Sequence, residues 1–513
     1  MVTESALLQN RYFDSVFLMR VSKRLSGQQG VQQAALVMGT PKNIRILADA
    51  GYDGIDALGA SSNDLVVSLR ADSAEQARQL IDDLESYLVR DSSRPTTHTV
   101  RSLPQALTQQ PTSNIALISV PGEFAAREAR QALESGLNVF LFSDHVPIED
   151  ELSLKRLAQE NGLLLMGPDC GTSIVGGVGL GFANAVQRGP IGVIGASGTG
   201  TQEVTSLVHR WGSGISHAIG VGGRDLSDDI GAISTMQAMD ALEKDPNTSV
   251  ILLVSKPPGS ATVALVNKRI ESCSKPVVTC YLGDRGWSSR DLPNVTTTNN
   301  LDDAATAAIR LAGGIRVDKA SSVSPESLQR EQAKLRPSQK YVRGVFAGGT
   351  LCYQAQQVLR DAGLAACSNE PLEKRMELRD SSISVEHTLV DMGADDFTDG
   401  KPHPMVDSTQ RIQRILAEAN DPEVAVLLLD CVLGFVTAED PAGDIAPAIA
   451  EAKRIAQQRG DNLSVVVSVC GTELDHQGLE TQAYSLEEAG AIAFTSAFQA
   501  ARFAAQLVTG RGE

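Results

Sequence analysis

A glycine-rich turn with several hydroxyl side chains, residues 195–201 (Gly-Ala-Ser-Gly-Thr-Gly-Thr), directly follows the apolar stretch 190–195. Its glycines allow the backbone to approach a ligand closely. The free N–H groups of the helix predicted to follow carry a partial positive charge, which suits a phosphate or a carboxylate. The candidate anion-binding residues are Gly195, Ser197, Gly198 and Thr199. Thr199 and Gln202 also match a capping box, so the alternative is simple tight-turn geometry.

A second turn, residues 430–436 (Asp-Cys-Val-Leu-Gly-Phe-Val), follows the apolar stretch 423–430 and leads towards a predicted helix at 443–457. Gly434 and Phe435 are its candidate phosphate-binding residues. If the two turns come from neighbouring domains, two helix N-termini would clamp one anion between them. The acidic side chains just downstream argue against a bare phosphate there unless Mg²⁺ intervenes or they point elsewhere.

The polar loop 392–407 follows a predicted strand and therefore lies at a carboxyl end, where open α/β sheets bind ligands. His403 stands between two prolines that fix the local backbone, and Lys401 and Asp407 lie in the same loop. A lone histidine is more often structural than catalytic. The density of polar side chains here exceeds what a simple connection needs, so both a functional and a structural role stay open for His403.

Two cations lie nearest the first turn in strand order. Arg224, in the segment 222–229, and Lys256, in the segment 255–260, would balance the charge of a phosphate. The alternative for both is an ordinary solvated side chain or a surface ion pair. The sequence shows no Ser-His-Asp elbow, Walker A motif, metal-ligand cluster or ATP-grasp domain, so we expect no metal site.

Apolar strands that alternate with amphipathic helices must position these loops, and the pattern predicts an α/β fold with parallel sheets covered on both faces. We predict a ferredoxin-like N-terminal unit with a split βαβ order. It is followed by a Rossmann-like unit of the CoA-binding type and then by two flavodoxin-like domains. The predicted units are 1–100, 114–188, 189–316 and 341–513, with polar linkers at 91–113 and 317–340.

The chain of 513 residues has a net charge of −17, which argues against a nucleic acid or an anionic membrane surface as a partner. An anionic substrate would need a local positive site. The seven cysteines are scattered without a Cys-x-x-Cys pair, as in proteins with reduced thiols. The N-terminus lacks the pattern of a signal peptide, and no apolar run is long enough to span a bilayer. We therefore expect a cytoplasmic protein.

Several motifs together resemble the FdrA-type proteins, which are acyl-CoA-synthetase-like. The motifs are YFDSVFLM (12–19), VMGTPKN (37–43), MGPDCGTS (166–173), IGASGTGTQE (194–203), GVGGRDLSDDIG (220–231), SKPP (255–258), FAGGTLC (346–352), GADDFTDGKPHPMVD (393–407) and LLLDCVLGF (427–435). More distantly, residues 114–316 resemble the α subunit of succinyl-CoA ligase. Residues 341–513 resemble the carboxyl-terminal domain of the β subunit of that ligase. The resemblance covers essentially the whole chain.

In that ligase, two helix N-termini grip the phosphate of an acyl phosphate or phosphohistidine. The resemblance implies that the turns at Ser197–Thr199 and Gly434–Phe435 do the same. The histidine that the ligase carries after the predicted strand 276–282 is missing, because the sequence there is CYLGDRGWSSRD. The glycine-rich turn that opens the CoA-binding domain of the ligase has no clear counterpart either.

FdrA-type proteins are associated with purine and allantoin nitrogen catabolism, where carbamoyl transfer between oxamate and phosphate is attributed to an FdrA-type subunit with partner proteins. The resemblance thus implies transfer of an acyl or carbamoyl group to or from phosphate, with phosphate or carbamoyl phosphate as substrate. Ser197 would act in catalysis, with His403 or Asp407 as proton acceptor and Arg224, Lys256 and Lys401 in support. Partner enzyme subunits, a homo-oligomer or both are expected.

Two alternatives stay open. The first is an acyl-CoA synthetase in which His403 is phosphorylated, CoA binds, and a separate partner supplies the nucleotide-binding domain. The second is a non-catalytic regulatory or scaffold protein that retains a degenerate ligand site. No cofactor is determined by the sequence.

Overall fold

The computed structural model describes residues 2–11, 13, 15–49, 51–52, 54–88, 100, 102–283, 292–315, 325–399 and 401–509. The chain forms two compact units. The first contains Met1–Val100 and Phe397–Asp407, and the second contains Arg101–Asp396 and Ser408–Glu513.

The first unit is built on an antiparallel sheet in the order β1-β3-β2. Its strands are β1 (Val2–Leu8), β2 (Val31–Met38) and β3 (Leu65–Ala71). Its helices are α1 (Ser15–Ser26), α2 (Pro41–Asp49), α3 (Ala74–Asp82) and α4 (Leu84–Leu88), with a 3-10 helix at Ile55–Leu58. Because β3 lies between β1 and β2 and runs antiparallel to both, the unit has the predicted split βαβ order.

The second unit contains three sheets, and the first of them is parallel in the order β4-β5-β6. Its strands are β4 (Ile115–Ile118), β5 (Asn138–Leu141) and β6 (Leu165–Met166). Its helices are α5 (Leu103–Gln109), α6 (Gly122–Glu134) and α7 (Ile148–Glu160). Alanines spaced along the inner face of α6 and apolar residues of β5 form one buried core.

The second sheet has the order β13-β12-β11-β9-β10-β7-β8. Its strands are β7 (Thr172–Val175), β8 (Val178–Gly181), β9 (Arg188–Gly195), β10 (Ile215–Gly220), β11 (Val250–Ser255), β12 (Val277–Tyr281) and β13 (Val295–Thr298). Its helices are α8 (Gly198–Arg210), α9 (Ile233–Lys244), α10 (Ser260–Glu271) and α11 (Leu301–Leu311). The five strands from β13 to β10 are parallel.

The hairpin of β7 and β8 was not predicted from the sequence. Its residues lie inside the predicted Rossmann-like unit 114–188, yet β7 pairs antiparallel with β10 and so extends the sheet of the following domain. The reason is physical: four-residue strands carry too little periodicity to be recognised, and their partner is distant in sequence.

The third sheet is parallel throughout, in the order β15-β16-β14-β17-β18-β19. Helix α12 (Pro325–Gln332) precedes it. Its strands are β14 (Tyr341–Phe346), β15 (Ala366–Cys367), β16 (His387–Asp391), β17 (Val424–Val432), β18 (Ser464–Cys470) and β19 (Ile492–Phe494). Its helices are α13 (Gly349–Asp361), α14 (Asp395–Thr398), α15 (Thr409–Ala419), α16 (Pro441–Gln458), α17 (Leu479–Glu488) and α18 (Ala497–Thr509), with a 3-10 helix at Lys374–Met376.

The predicted α/β class with parallel sheets is confirmed. The two predicted linkers lie partly outside the described residues, and their described parts contain α5 and α12. Within the described ranges, no helix is both long enough and apolar enough to cross a lipid bilayer.

Candidate functional site

The N-terminus of α8 has the predicted strand–turn–helix geometry. Ser197 is the N-cap residue, and its hydroxyl oxygen accepts the backbone N–H of Gly200 at 3.0 Å. A Cβ built on Gly195 would lie 1.8 Å from the hydroxyl oxygen of Thr201, so this turn requires glycine. The capping box of Thr199 with Gln202 is therefore not formed, because Ser197 is the cap.

Helix α8 meets α13 of the other flavodoxin-like domain at this point. The hydroxyls of Ser197 and Thr350 are hydrogen-bonded to each other, and the backbone N–H of Thr350 donates to Thr199 Oγ1 at 3.3 Å. Thr350 is the second residue of α13, so two helix N-termini from neighbouring domains lie in direct contact. The sequence predicted two adjoining helix N-termini, and the structure has them with a different second helix; that they bind an anion stays a prediction.

The second turn leads into the predicted helix, α16, but only after the further residues 437–440. The backbone N–H groups of Gly434 and Phe435 already have protein acceptors. Gly434 N donates to Gln477 Oε1 at 3.4 Å, and Phe435 N donates to Ala183 O at 3.1 Å. Gly434 has a φ of 140° and packs against the carbonyl of residue 182. We therefore correct the prediction that Gly434 and Phe435 form the opposite half of the clamp.

A hydroxyl that the sequence analysis missed lies beside the first turn of α8. The side chain of Thr172, at the start of β7, is buried, and its Oγ1 finds no hydrogen-bond partner within the described part of the chain. A Cβ built on Gly198 would lie 4.0 Å from that oxygen. A buried polar atom without a partner is costly, so it marks a place where a ligand would be favourable. Its only signal in the sequence was the polar segment 166–173.

Two buried carboxyl groups, those of Asp430 and Asp391, lie beside the start of α13. Asp430 accepts the backbone N–H groups of Ala347 and Gly348 at 2.8 Å each and pairs with Arg411 at 2.8 Å. This carboxylate holds the turn between β14 and α13 in place. Asp430 therefore has a structural role within the turn.

Asp391 lies closer to the helix start itself. Its Oδ1 accepts the N–H of Gly393 at 2.9 Å, and a Cβ built on Gly349 would lie 2.3 Å from Oδ2. Burial raises the pKa of Asp391 to about 6, although the ammonium of Lys256 opposes this shift. A carboxyl group thus already occupies the start of α13, which makes the start of α8 the better anion site.

The two predicted supporting cations differ in their surroundings. Lys256 lies 3.9 Å from the carboxylate of Glu370 and 5.4 Å from the centre of the Tyr353 ring, with nearly half of its side chain exposed. Arg224 is held by Glu151 at 2.8 Å and donates to the carbonyl of Val146 at 2.7 Å. Lys256 is thus beside the α13 start, whereas Arg224 supports the loop after β5.

The predicted loop with Lys401, His403 and Asp407 falls in the segment 397–407, which belongs to the first compact unit. His403 Nδ1 accepts the N–H of Met405 at 3.2 Å, and the carbonyl of His403 accepts the N–H of Asp407 at 3.1 Å. These contacts form a local turn. The second compact unit contains Ser197, and the roles of the three loop residues stay predictions.

His145, in the loop after β5, was not singled out from the sequence, and it lies near Asp395, which follows β16. His145 Nε2 lies 3.9 Å from a carboxylate oxygen of Asp144 and 3.9 Å from one of Asp395, and all three side chains are more than half exposed. His145 has a φ of 55°, in the left-handed region. The only signal was the polar segment 142–150.

Comparisons with known proteins agree with this architecture. The family model described as CoA-ligase matches residues 345–507, the model for a CoA binding domain matches 186–279, and the model described as AllF, heavy metal-associated domain, matches 1–102. The CoA binding match lies mainly on the predicted flavodoxin-like domain 189–316. Residues 1–102 contain no cysteine.

Three similar proteins span different shares of the chain. YahF of Escherichia coli strain K12 is 43% identical over 97% of both chains. The α subunit of an ADP-forming succinate–CoA ligase from Methanothermobacter thermautotrophicus is 25% identical over 43% of this chain and 76% of its own. Among solved structures, dinucleotide-forming acetyl-coenzyme A synthetase 1 of Ca. Korarchaeum cryptofilum is 19% identical, with 77% of this chain and 82% of that chain covered and a TM-score of 0.28.

Proposed function

The chain belongs to the FdrA-type family of acyl-CoA-synthetase-like proteins, and we propose that it transfers an acyl or carbamoyl group to or from phosphate. The observation that carries this proposal is the buried, unpaired hydroxyl of Thr172 beside the first turn of α8, within the described ranges. A 13-residue helix that begins next to such a donor is suited to a phosphate.

In the proposed complex, the backbone N–H groups of the first turn of α8 hold the phosphate oxygens. The hydroxyls of Ser197 and Thr172 donate to the same group, and Lys256 contributes positive charge from the side of α13. The N–H groups are fixed before the substrate arrives, so they stabilise charge that develops on the leaving phosphate.

The specific reaction that we propose is carbamoyl transfer between oxamate and phosphate in purine and allantoin nitrogen catabolism. The amide nitrogen of oxamate attacks the carbamoyl carbon of carbamoyl phosphate, the bond from that carbon to the phosphate oxygen breaks, and the nitrogen loses a proton. Oxalurate and phosphate are the products, and the reverse is phosphorolysis of oxalurate. Asp391, beside the start of α13, is the proton acceptor that we propose, because its raised pKa of about 6 suits proton transfer near neutral pH. The proton-acceptor roles of His403 and Asp407 stay predictions from the sequence.

The test is ³¹P NMR of the full chain with oxalurate and phosphate, alone and together with candidate partner subunits. We expect carbamoyl phosphate to form in amounts that depend on the protein. Binding of carbamoyl phosphate without turnover under all conditions would support a phosphate site but contradict the transfer reaction.

The second candidate is an acyl-CoA synthetase that acts with a separate nucleotide-binding partner, and the match of residues 186–279 to a CoA binding domain favours it. Calorimetric titration with CoA separates the two functions. Tight binding of CoA, combined with no binding of carbamoyl phosphate, would make the synthetase the better proposal.

A further inference from the structure

A cavity of about 330 Å³ opens between the residues before α11, the middle of α13 and the outer face of α18. Five of its eleven lining residues carry carboxamide side chains, among them Asn299, Gln354 and Gln357, and Phe498 and Arg502 also line it. Along α13 it extends from Gln354, about one turn after Thr350, to Asp361, about three turns after it, and it uses none of the residues assigned above to the phosphate site. Its volume is at the lower end of the range for small-molecule sites.

The amide group of Gln354 is buried, and only one of its two polar atoms has a hydrogen-bond partner among the described residues. The side chain is 1% exposed, and its Oε1 accepts the backbone N–H of Leu301 at 2.9 Å. This contact fixes the orientation of the amide, because only the oxygen can accept. The Nε2 group then finds no acceptor among the residues that the structure describes. Gln354 lines the cavity, and a buried N–H donor without an acceptor is a place where an acceptor from a ligand would be favourable.

The charges around the cavity decide what kind of acceptor fits. Arg502 is exposed, with its guanidinium 5.7 Å from the centre of the Phe498 ring. The one acidic side chain of the lining, Asp361, is bound by Arg360 at 2.9 Å. Arg502 is the one cationic side chain of the lining, and it supplies the positive charge for an anionic ligand. The carboxylate of Asp303, next to the lining, is bound by the Nδ2 group of Asn300 at 2.8 Å.

The other amide of the wall is already used. Gln357 accepts the N–H of Gly283 at 2.9 Å through Oε1 and donates to the carbonyl of Asn299 at 3.0 Å through Nε2. Gln357 is therefore a fixed part of the wall. The two donors of the lining on which the proposal rests are the Nε2 group of Gln354 and the guanidinium of Arg502.

We propose that this cavity binds a small carboxylate anion, with one oxygen on the Nε2 group of Gln354 and the negative charge on Arg502. The site is separate from the phosphate site at α8. It would be the second anion-binding position of the chain and lies on α13, the helix whose first turn contacts Ser197.

Isothermal titration calorimetry of the full chain with oxalate and with succinate tests this proposal, with succinamide as the neutral control. We expect both carboxylates to bind and succinamide not to bind. Gln354→Glu keeps the acceptor for Leu301 but replaces the donor with a negative oxygen, so it should weaken binding about tenfold or more. Arg502→Gln, on the surface, should weaken it to a similar extent.

Two controls make the result specific. Arg310→Gln removes an exposed cation of α11 outside the cavity, and Thr172→Val alters only the phosphate site, so both should bind the carboxylates as the unmodified chain does. Thermal unfolding of each variant checks that it is folded. No binding to the unmodified chain, equal binding to Arg502→Gln, or a loss confined to Thr172→Val would each overturn the proposal.

Discussion

Glu203 and Gln354 occupy the sixth position of α8 and of α13, respectively, and they make the same contact in opposite directions. Glu203 Oε1 accepts the N–H of Ala497, the first residue of α18, at 2.8 Å. Gln354 Oε1 accepts the N–H of Leu301, the first residue of α11, at 2.9 Å. Each flavodoxin-like domain thus caps the last helix of the other, so the two domains are held by a nearly symmetric pair of contacts.

Glu203 has an ionisable side chain and Gln354 does not, so the contact of Glu203 predicts a pH dependence of stability. Burial raises the pKa of Glu203 from 4.5 to about 7. In the folded state the carboxyl therefore keeps its proton to a higher pH than in the unfolded chain. The contribution of this carboxyl to the free energy of unfolding is complete below about pH 4.5 and is lost as the pH rises through 7. The loss amounts to about 3 kcal/mol. Glu203→Gln should remove this loss.

The measurement is the free energy of unfolding by denaturant between pH 5 and pH 8, compared between the unmodified chain and Glu203→Gln. The difference between the two profiles isolates this one group from other titrating residues. Glu423→Gln, which removes an exposed carboxylate, is the matched control. Parallel profiles for the unmodified chain and Glu203→Gln would show that the carboxyl does not titrate in this range.

A buried ion-pair cluster joins α7 to the loop after β10. Lys155 is fully buried, with its Nζ 2.6 Å from Asp225, 3.1 Å from Glu151 and 2.9 Å from the carbonyl of Val221. Lys155→Met would leave the buried carboxylate of Asp225 without its cation and Glu151 with Arg224 alone, which costs about 3 to 5 kcal/mol of unfolding free energy. Denaturant unfolding measures this, with the exposed Lys244→Met as the control. A loss equal to that of the control would mean that the cluster contributes no stability.

The start of α8 was predictable because its signal is local. An apolar strand, glycines in the turn and an amphipathic helix follow one another within 22 residues of sequence, 190–211, and Ser197 lies where this pattern places a cap. The sheet class was predictable for the same reason, since each strand and helix carries its own periodicity.

The partners of α8 were not predictable in this way. The segment 346–350 has the same strand–turn pattern as several other turns, and only the packing of two sheets selects α13 as the helix that meets Ser197. Thr172 lies in β7 of a short hairpin, and β7 also pairs with β10, which begins more than 40 residues later. Contacts of this kind depend on long-range pairing, which single-sequence patterns do not encode.

The unpaired hydroxyl of Thr172 predicts a selective effect on anion binding. Thr172→Val keeps the shape of the side chain and removes the donor, so we expect carbamoyl phosphate to bind about tenfold more weakly. Ser206→Ala is the matched control, because Ser206 Oγ in α8 is likewise buried without a partner among the described residues but lies two turns away from the helix start. Calorimetric titration compares the variants. Equal losses in both would mean that the effect comes from packing.

The position of Asp391 beside the start of α13 predicts that anion binding depends on pH. Burial raises the pKa of Asp391 to about 6, so the side chain is largely neutral below that pH and negative above it. Sulfate keeps the same charge between pH 5 and pH 8 and is therefore the suitable probe. Its affinity should fall about threefold as the pH rises through 6, because the new carboxylate repels it. Asp391→Asn should bind sulfate with the same affinity at both ends of this range, whereas Asp229→Asn, an exposed control, should behave as the unmodified chain does. A fall of equal size in Asp391→Asn would assign the pH dependence to another group.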